Sequence, residues 1–90
     1  MNRKMLKAAV LKIMIEKMEL KNVTYLEDTM RLNQDLYIDS VMMLQLIVYI
    51  EMDLQLCVPE DELDPKAFST IGSLLDFMEE LQPLQMDVNN

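Results

Sequence analysis

The sequence predicts an all-α fold, a small four-helix bundle with three main helices, a short third helix and a long loop after helix one. Three observations predict it. Gly72 is the only glycine and prolines occur only at 59, 65 and 83, so chain-breaking positions are few. Leu, Met, Ile, Glu and Lys are plentiful, and most of these sustain helices. Apolar residues recur at helical spacing in three separate stretches. A chain of 90 residues makes one domain with a modest core. That domain is expected over residues 1–83, followed by a frayed tail over 84–90. A hydrophobic share of 51% is high enough to exclude a disordered chain.

The first helix is predicted over residues 3–20. Leu6, Val10, Ile13 and Lys17 follow i, i+4, i+7 and i+11, with Ala9 and Met14 beside them and lysines on the opposite face. Asn22 is the expected left-handed terminator. Residues 22–38 then form a connection anchored by Tyr25-Leu26, by Met30 with Leu32, and by Leu36 with Ile38, with Glu27, Asp28 and Asp35 in solvent. The second helix is predicted over 40–54, capped by Asp39 or Ser40. It is apolar nearly all round. One stripe runs through Val41, Leu44 and Ile47 or Val48 to the 51/52 pair, and another through Met43, Leu46 and Ile50. One buried face does not require both stripes.

Leu56–Pro59 reads as an extended exit and Glu60–Asp64 as an acidic turn. Asp64–Phe68 reads as one short helical turn with Pro65 at its first position. Ser69 or Thr70 then caps a last helix over 71–81, with Ile71, Leu74, Leu75, Phe77, Met78 and Leu81 inward and Pro83 as its stop.

The formal charge of -8 is unevenly spread. Residues 1–21 carry six basic residues against two acids, and residues 22–90 carry Arg31 and Lys66 against fourteen acids. An acidic body repels nucleic-acid phosphates and attracts basic protein surfaces. Cys57 is alone, so no intramolecular disulfide forms, and its neighbours Leu56 and Val58 make it a packed thiol. Lys7 and Lys12 interrupt every N-terminal apolar run, and Val41–Ile50 is too short to span a bilayer. A cytoplasmic monomer without nucleic-acid or membrane partners is the expectation.

The candidate site is Asp39-Ser40, where the polar connection gives way to the second helix. No histidine exists to activate the serine, and one glycine cannot build a phosphate-binding loop. Glu60–Asp64 lacks the ligand order and central glycine of a calcium loop. An enzyme is therefore not expected, and no metal site is. By itself an Asp-Ser pair before a helix is most often only a cap.

The wider pattern resembles the phosphopantetheine-binding acyl and peptidyl carrier proteins. Asp39-Ser40 looks like the attachment site of that family, and Met30–Leu36 looks like the stretch leading into it. Val58-Pro59, Asp64-Pro65 and Phe68–Ile71 look like the segments that follow its second helix. The resemblance covers about residues 3–81. It implies a non-catalytic carrier with 4′-phosphopantetheine attached covalently to Ser40, holding an acid as a thioester. It also implies a phosphopantetheinyl transferase, an adenylating acyl or aryl ligase and a downstream acyl-transferring synthetase as partners. Within the family the likeness runs furthest to free-standing aryl carriers of petrobactin-type siderophore synthesis, which implies a dihydroxybenzoyl cargo. Asp39 would serve the transferase, and Val41, Met42, Met43 and Gln45 are the expected recognition residues.

The departures are informative. The family often has Gly two residues before the Asp-Ser pair, where this chain has Tyr37. Leu commonly follows the serine, and here it is Val41. Fatty-acid carriers place acids early in the second helix, where this chain has Met42, Met43 and Gln45. Methionines adapt to apolar partner surfaces, which points to a dedicated partner set. The rival reading is a helical interaction module that binds a partner helix through a Met-rich face, with no covalent arm.

Overall fold

The computed structural model describes residues 2–59, 61 and 68–83. Three helices form: α1 (Arg3–Glu16), α2 (Ser40–Leu54) and α3 (Ile71–Glu79). Two short strands, β1 (Leu56–Cys57) and β2 (Gln82–Pro83), pair antiparallel, with Leu56 opposite Pro83 and Cys57 opposite Gln82. The fold is all-α in character. All of the short helix expected at Asp64–Phe68 except Phe68, most of the Glu60–Asp64 turn and the tail over 84–90 lie outside the described residues.

α1 packs on both α2 and α3. Leu6, Val10, Ile13 and Met14 from α1 meet Met43, Leu46, Ile47 and Ile50 from α2 and Ile71, Leu74, Leu75 and Met78 from α3 in one buried cluster. Each such side chain contributes about 1.5–3 kcal/mol by leaving water. The first connection closes the core with Val23, Leu26, Leu32, Leu36 and Ile38, all buried. Met30 is half-buried, whereas Tyr25 points to solvent.

α1 ends four residues before the predicted boundary. The Ile13 carbonyl accepts from both Lys17 and Met18 amides, and the Leu20 amide reaches the Met14 carbonyl. Glu19, with φ 57°, takes the left-handed turn expected of Asn22. The physical reason is apolar: Met18 and Leu20 fold back onto the core, which a continued helix would prevent. α3 also stops early, because the Glu80 and Leu81 amides tighten onto the Phe77 and Met78 carbonyls and the chain then pairs with β1. That pairing turns Cys57 outward, so the thiol is exposed rather than packed. Gln55, left-handed at φ 54° and ψ 48°, closes α2.

The connection is fastened to α3 by backbone bonds. The Leu32 amide donates to Ser69 O (3.0 Å), the Ile71 amide to Met30 O (2.9 Å) and the Gly72 amide to Asp28 O (2.9 Å). With Ser73 N donating to Thr70 Oγ1 at 3.1 Å, the first three amides of α3 all have acceptors. A reciprocal bond from Thr70 N to Ser73 Oγ completes the cap.

Asp28 does not sit free in solvent. Arg3 Nη2 lies 2.8 Å from Asp28 Oδ2, and Lys7 Nζ lies 2.6 Å from Asp28 Oδ1. Arg3 Nη1 also reaches Asp76 (2.8 Å) and Glu79 (2.6 Å) on α3. Hydrogen bonds from Lys7 and Arg3 hold the Asp28 carboxyl below its ordinary range. Asp35 is likewise lowered, by the Arg31 side chain and then by the Arg31 amide.

Two predictions follow from this fastening. A β-carbon at Gly72 would lie 3.1 Å from the Asp28 carbonyl oxygen, which accepts the Gly72 amide while Arg3 and Lys7 hold the Asp28 carboxylate. Gly72→Ala is expected to lower stability by about 1 kcal/mol despite its better helix propensity. A urea midpoint at or above that of the parent would show that the connection gives way. Carboxyls with lowered folded pKa values stabilise fully above the ordinary carboxyl pKa of about 3.9 and lose that contribution as pH falls through the folded values. Urea midpoints should therefore be insensitive to pH near neutrality, as far as Asp28 is concerned, and decline below about pH 4, and Asp28→Asn should show a shallower decline.

Candidate functional site

Ser40 is the first residue of α2, and Asp39 is its cap. Asp39 Oδ1 accepts from the Met42 amide at 2.8 Å, and the Asp39 carbonyl accepts from Met43 at 2.8 Å. The capping work thus falls to Asp39, and the Ser40 hydroxyl is left exposed. Among the described residues, no acceptor meets the Ser40 and Val41 amides. This helix start offers an exposed hydroxyl beside two unused N–H groups, an arrangement that favours an anion there.

The backbone before the site is held from within. The Ile38 amide donates to Leu32 O (2.9 Å), and Asn33 Nδ2 donates to Ile38 O (3.3 Å). These bonds bury Ile38 and bring the chain to Asp39 in extended form. Tyr37 makes the turn possible at φ 59°, a left-handed conformation in a bulky residue. Its side chain is 79% exposed.

A hollow of about 380 Å³ opens beside Ser40. Leu32, Ile38, Met43 and Phe68 supply its apolar lining, and Arg31, Asn33, Gln34 and Ser69 supply polar groups. Phe68 is set by an edge-on contact with Phe77, ring centroids 4.9 Å apart at 61°. The size suits a small organic group with a few polar anchors.

The expected recognition residues divide by exposure. Asp39, Val41 and Gln45 are exposed and Met42 is half-buried. Met43 is a correction: at 3% exposure it belongs to the core, because its stripe with Leu46 and Ile50 is the buried side of α2, which packs on α1. The other stripe is the free one. Val41, Leu44, Val48 and Met52 are all exposed along α2. Sequence reasoning missed the Arg31, Asn33, Gln34 and Phe68 surroundings of Ser40, which only the folded connection brings together. It also missed Tyr37 as a surface group, although its departure from Gly was the available signal.

No family model and no solved structure matches the chain. Among proteins of curated function, acyl carrier protein AsbD of Bacillus anthracis is 84% identical over 91 aligned residues, which cover 100% of this chain and 100% of that protein. The chain belongs to the acyl carrier protein family. Membership accounts for the exposed serine better than a helix-binding module does, since such a module has no use for a hydroxyl at the start of α2. Proteins of this family generally carry a 4′-phosphopantetheine group, work with synthetases and a phosphopantetheinyl transferase, and are not themselves catalytic. The carrier's own residues suit that group, with an exposed hydroxyl, two free amides and a hollow of mixed polarity. No helix among the described residues is long and apolar enough to cross a membrane.

The capping and charge roles of Asp39 are separable. Asp39→Ala should cost about 1 kcal/mol in thermal or urea unfolding, and Asp39→Asn should cost much less because asparagine caps as well. Equal losses in both variants would place the stabilising effect in the charge instead of the cap.

Proposed function

We propose that this protein is an aryl carrier with 4′-phosphopantetheine on Ser40, serving siderophore assembly with a dihydroxybenzoyl cargo. The observation that carries the attachment reading is the division of labour at the start of α2, where Asp39 caps and Ser40 stands exposed. The 84% identity to acyl carrier protein AsbD supports the carrier reading, and the resemblance of the sequence to aryl carriers of siderophore synthesis supports the cargo. When attached, the arm supplies the thiol on which the acid is held. The chain's own residues do the rest. The Ser40 and Val41 amides favour the phosphodiester, and Asp39 keeps α2 rigid beneath it.

A phosphopantetheinyl transferase, an adenylating ligase and a downstream synthetase are the partners in this reading. Their contacts fall on Asp39, Val41, Met42 and Gln45, with buried Met43 supporting them from below. The carrier domain spans 1–83 and acts as a cytoplasmic monomer. Acids elsewhere on the surface favour basic enzyme faces and speed encounter.

The test is intact mass before and after incubation with coenzyme A and a broad-specificity transferase. The parent should gain one phosphopantetheine and Ser40→Ala none, while Ser40→Ala unfolds within about 1 kcal/mol of the parent because it is not the cap. A gain in Ser40→Ala would move the attachment elsewhere. No gain in a folded, initially unmodified parent would favour the helix-binding module.

A further inference from the structure

We propose that Tyr37 is a docking residue for the phosphopantetheinyl transferase, its ring entering an apolar socket beside that enzyme's active site. The inference rests on attachment at Ser40 and names a contact for it.

The starting point is a conflict at one residue. Tyr37 sits at φ 59° and exposes 79% of its surface. The left-handed backbone has a structural use, since it lets Ile38 turn inward to Leu32 and delivers Asp39 to the cap. That need explains the dihedral angle and not the side chain. Glycine or asparagine meets it with less strain. An aromatic ring there is strained, gains little from burial, and forms no hydrogen bond among the described residues. Strain retained without a packing benefit points to a role outside the fold.

The position selects the partner. Transfer of the arm joins Ser40 Oγ to the pantetheine-side phosphorus of coenzyme A. The pyrophosphate P–O bond breaks, adenosine 3′,5′-bisphosphate leaves, and the serine proton passes to a base on the transferase. The new bond forms at Ser40 itself, so this enzyme must cover the residues on either side of it. Later enzymes also dock on α2, but they react with the arm's distant thiol and need not close over the residues that precede Ser40. Tyr37 stands three positions before Ser40, with exposed Val41 immediately after it. Tyr37 lines a surface hollow with Leu20, Val23, Glu19, Lys21 and Asp35, the last engaged by Arg31. Asp39, two residues on, makes no ion pair among the described residues. An apolar socket complements the ring, and a basic group beside it meets Asp39. Tyrosine suits such a contact because it brings a large rigid area at low entropic cost.

The experiment uses the full apo chain, coenzyme A and the transferase of the cell that makes this protein, with rates followed by intact mass. Tyr37→Gly and Tyr37→Asn fit the left-handed backbone, so both should unfold at the parent's temperature or above it. Both should raise the transferase KM for the carrier about tenfold and leave kcat within about twofold. Tyr37→Phe keeps the ring and should keep the parent KM. Parent-like KM in the Gly and Asn variants overturns the proposal alone, as does an equal rise in Phe. A parent that gains no mass overturns the Ser40 reading and this one with it.

Discussion

The placement of Ser40 depends on one contact, the strip from Asp28 to Leu32 lying on the Ser69–Gly72 entry to α3. Three backbone hydrogen bonds join them. They satisfy the connection, which otherwise has few regular partners, and they supply acceptors for helix amides that would otherwise have none. Gly72 lets the backbones approach, and Arg3 draws Asp28, Asp76 and Glu79 to one guanidinium. Ion pairs this exposed are individually weak. Their value here is geometric, because they fix one end of a strip whose other end positions Leu32, Ile38 and so Asp39.

The two helix starts are used in opposite ways. At α3 the first three amides are bonded to Met30, Asp28 and Thr70, and the start is buried under the connection. Of the first three amides of α2, only the third has an acceptor among the described residues, Asp39. The fold thus spends one helix terminus on its own cohesion and leaves the other with unused donors beside an exposed hydroxyl. α2 repeats this asymmetry along its length. Its Met43–Leu46–Ile50 stripe belongs to the core, while Val41, Leu44, Val48 and Met52 remain outside. The body of the carrier is ordered so that one face of α2 and its N-terminus stay available.

Much of this was legible in the sequence because local and global signals agree. The bounds of α2 were readable since Asp39 has cap chemistry and the apolar run begins immediately after it. Thr70 and the Ile71–Met78 periodicity gave α3 in the same way. The α1 end was misread because the lysine-rich pattern continues past Glu16, while the deciding force is the return of Met18 and Leu20 to the core. Cys57 was misread because strand alternation next to β2 overrides its apolar neighbours. Asp28 looked like one more solvated acid because its partners lie in α1, far away in sequence. The hollow beside Ser40 was out of reach for the same reason, since its walls come from three separate segments.

The one-residue offset between the cap, Asp39, and the proposed attachment point, Ser40, has a mechanical consequence. A serine that capped α2 would use its oxygen to accept the Met42 amide. Esterifying that oxygen would then weaken the cap and tie the helix start to the loading state. With Asp39 accepting that bond at 2.8 Å, the hydroxyl of Ser40 can change its substituent while the cap stays in place. The core stripe of α2 begins only at Met43, three residues further on, so the new group lies outside the packed region. On the proposed attachment at Ser40, loading and folding are therefore separated by the geometry of two adjacent side chains, and the helix start is the same rigid platform with and without the arm.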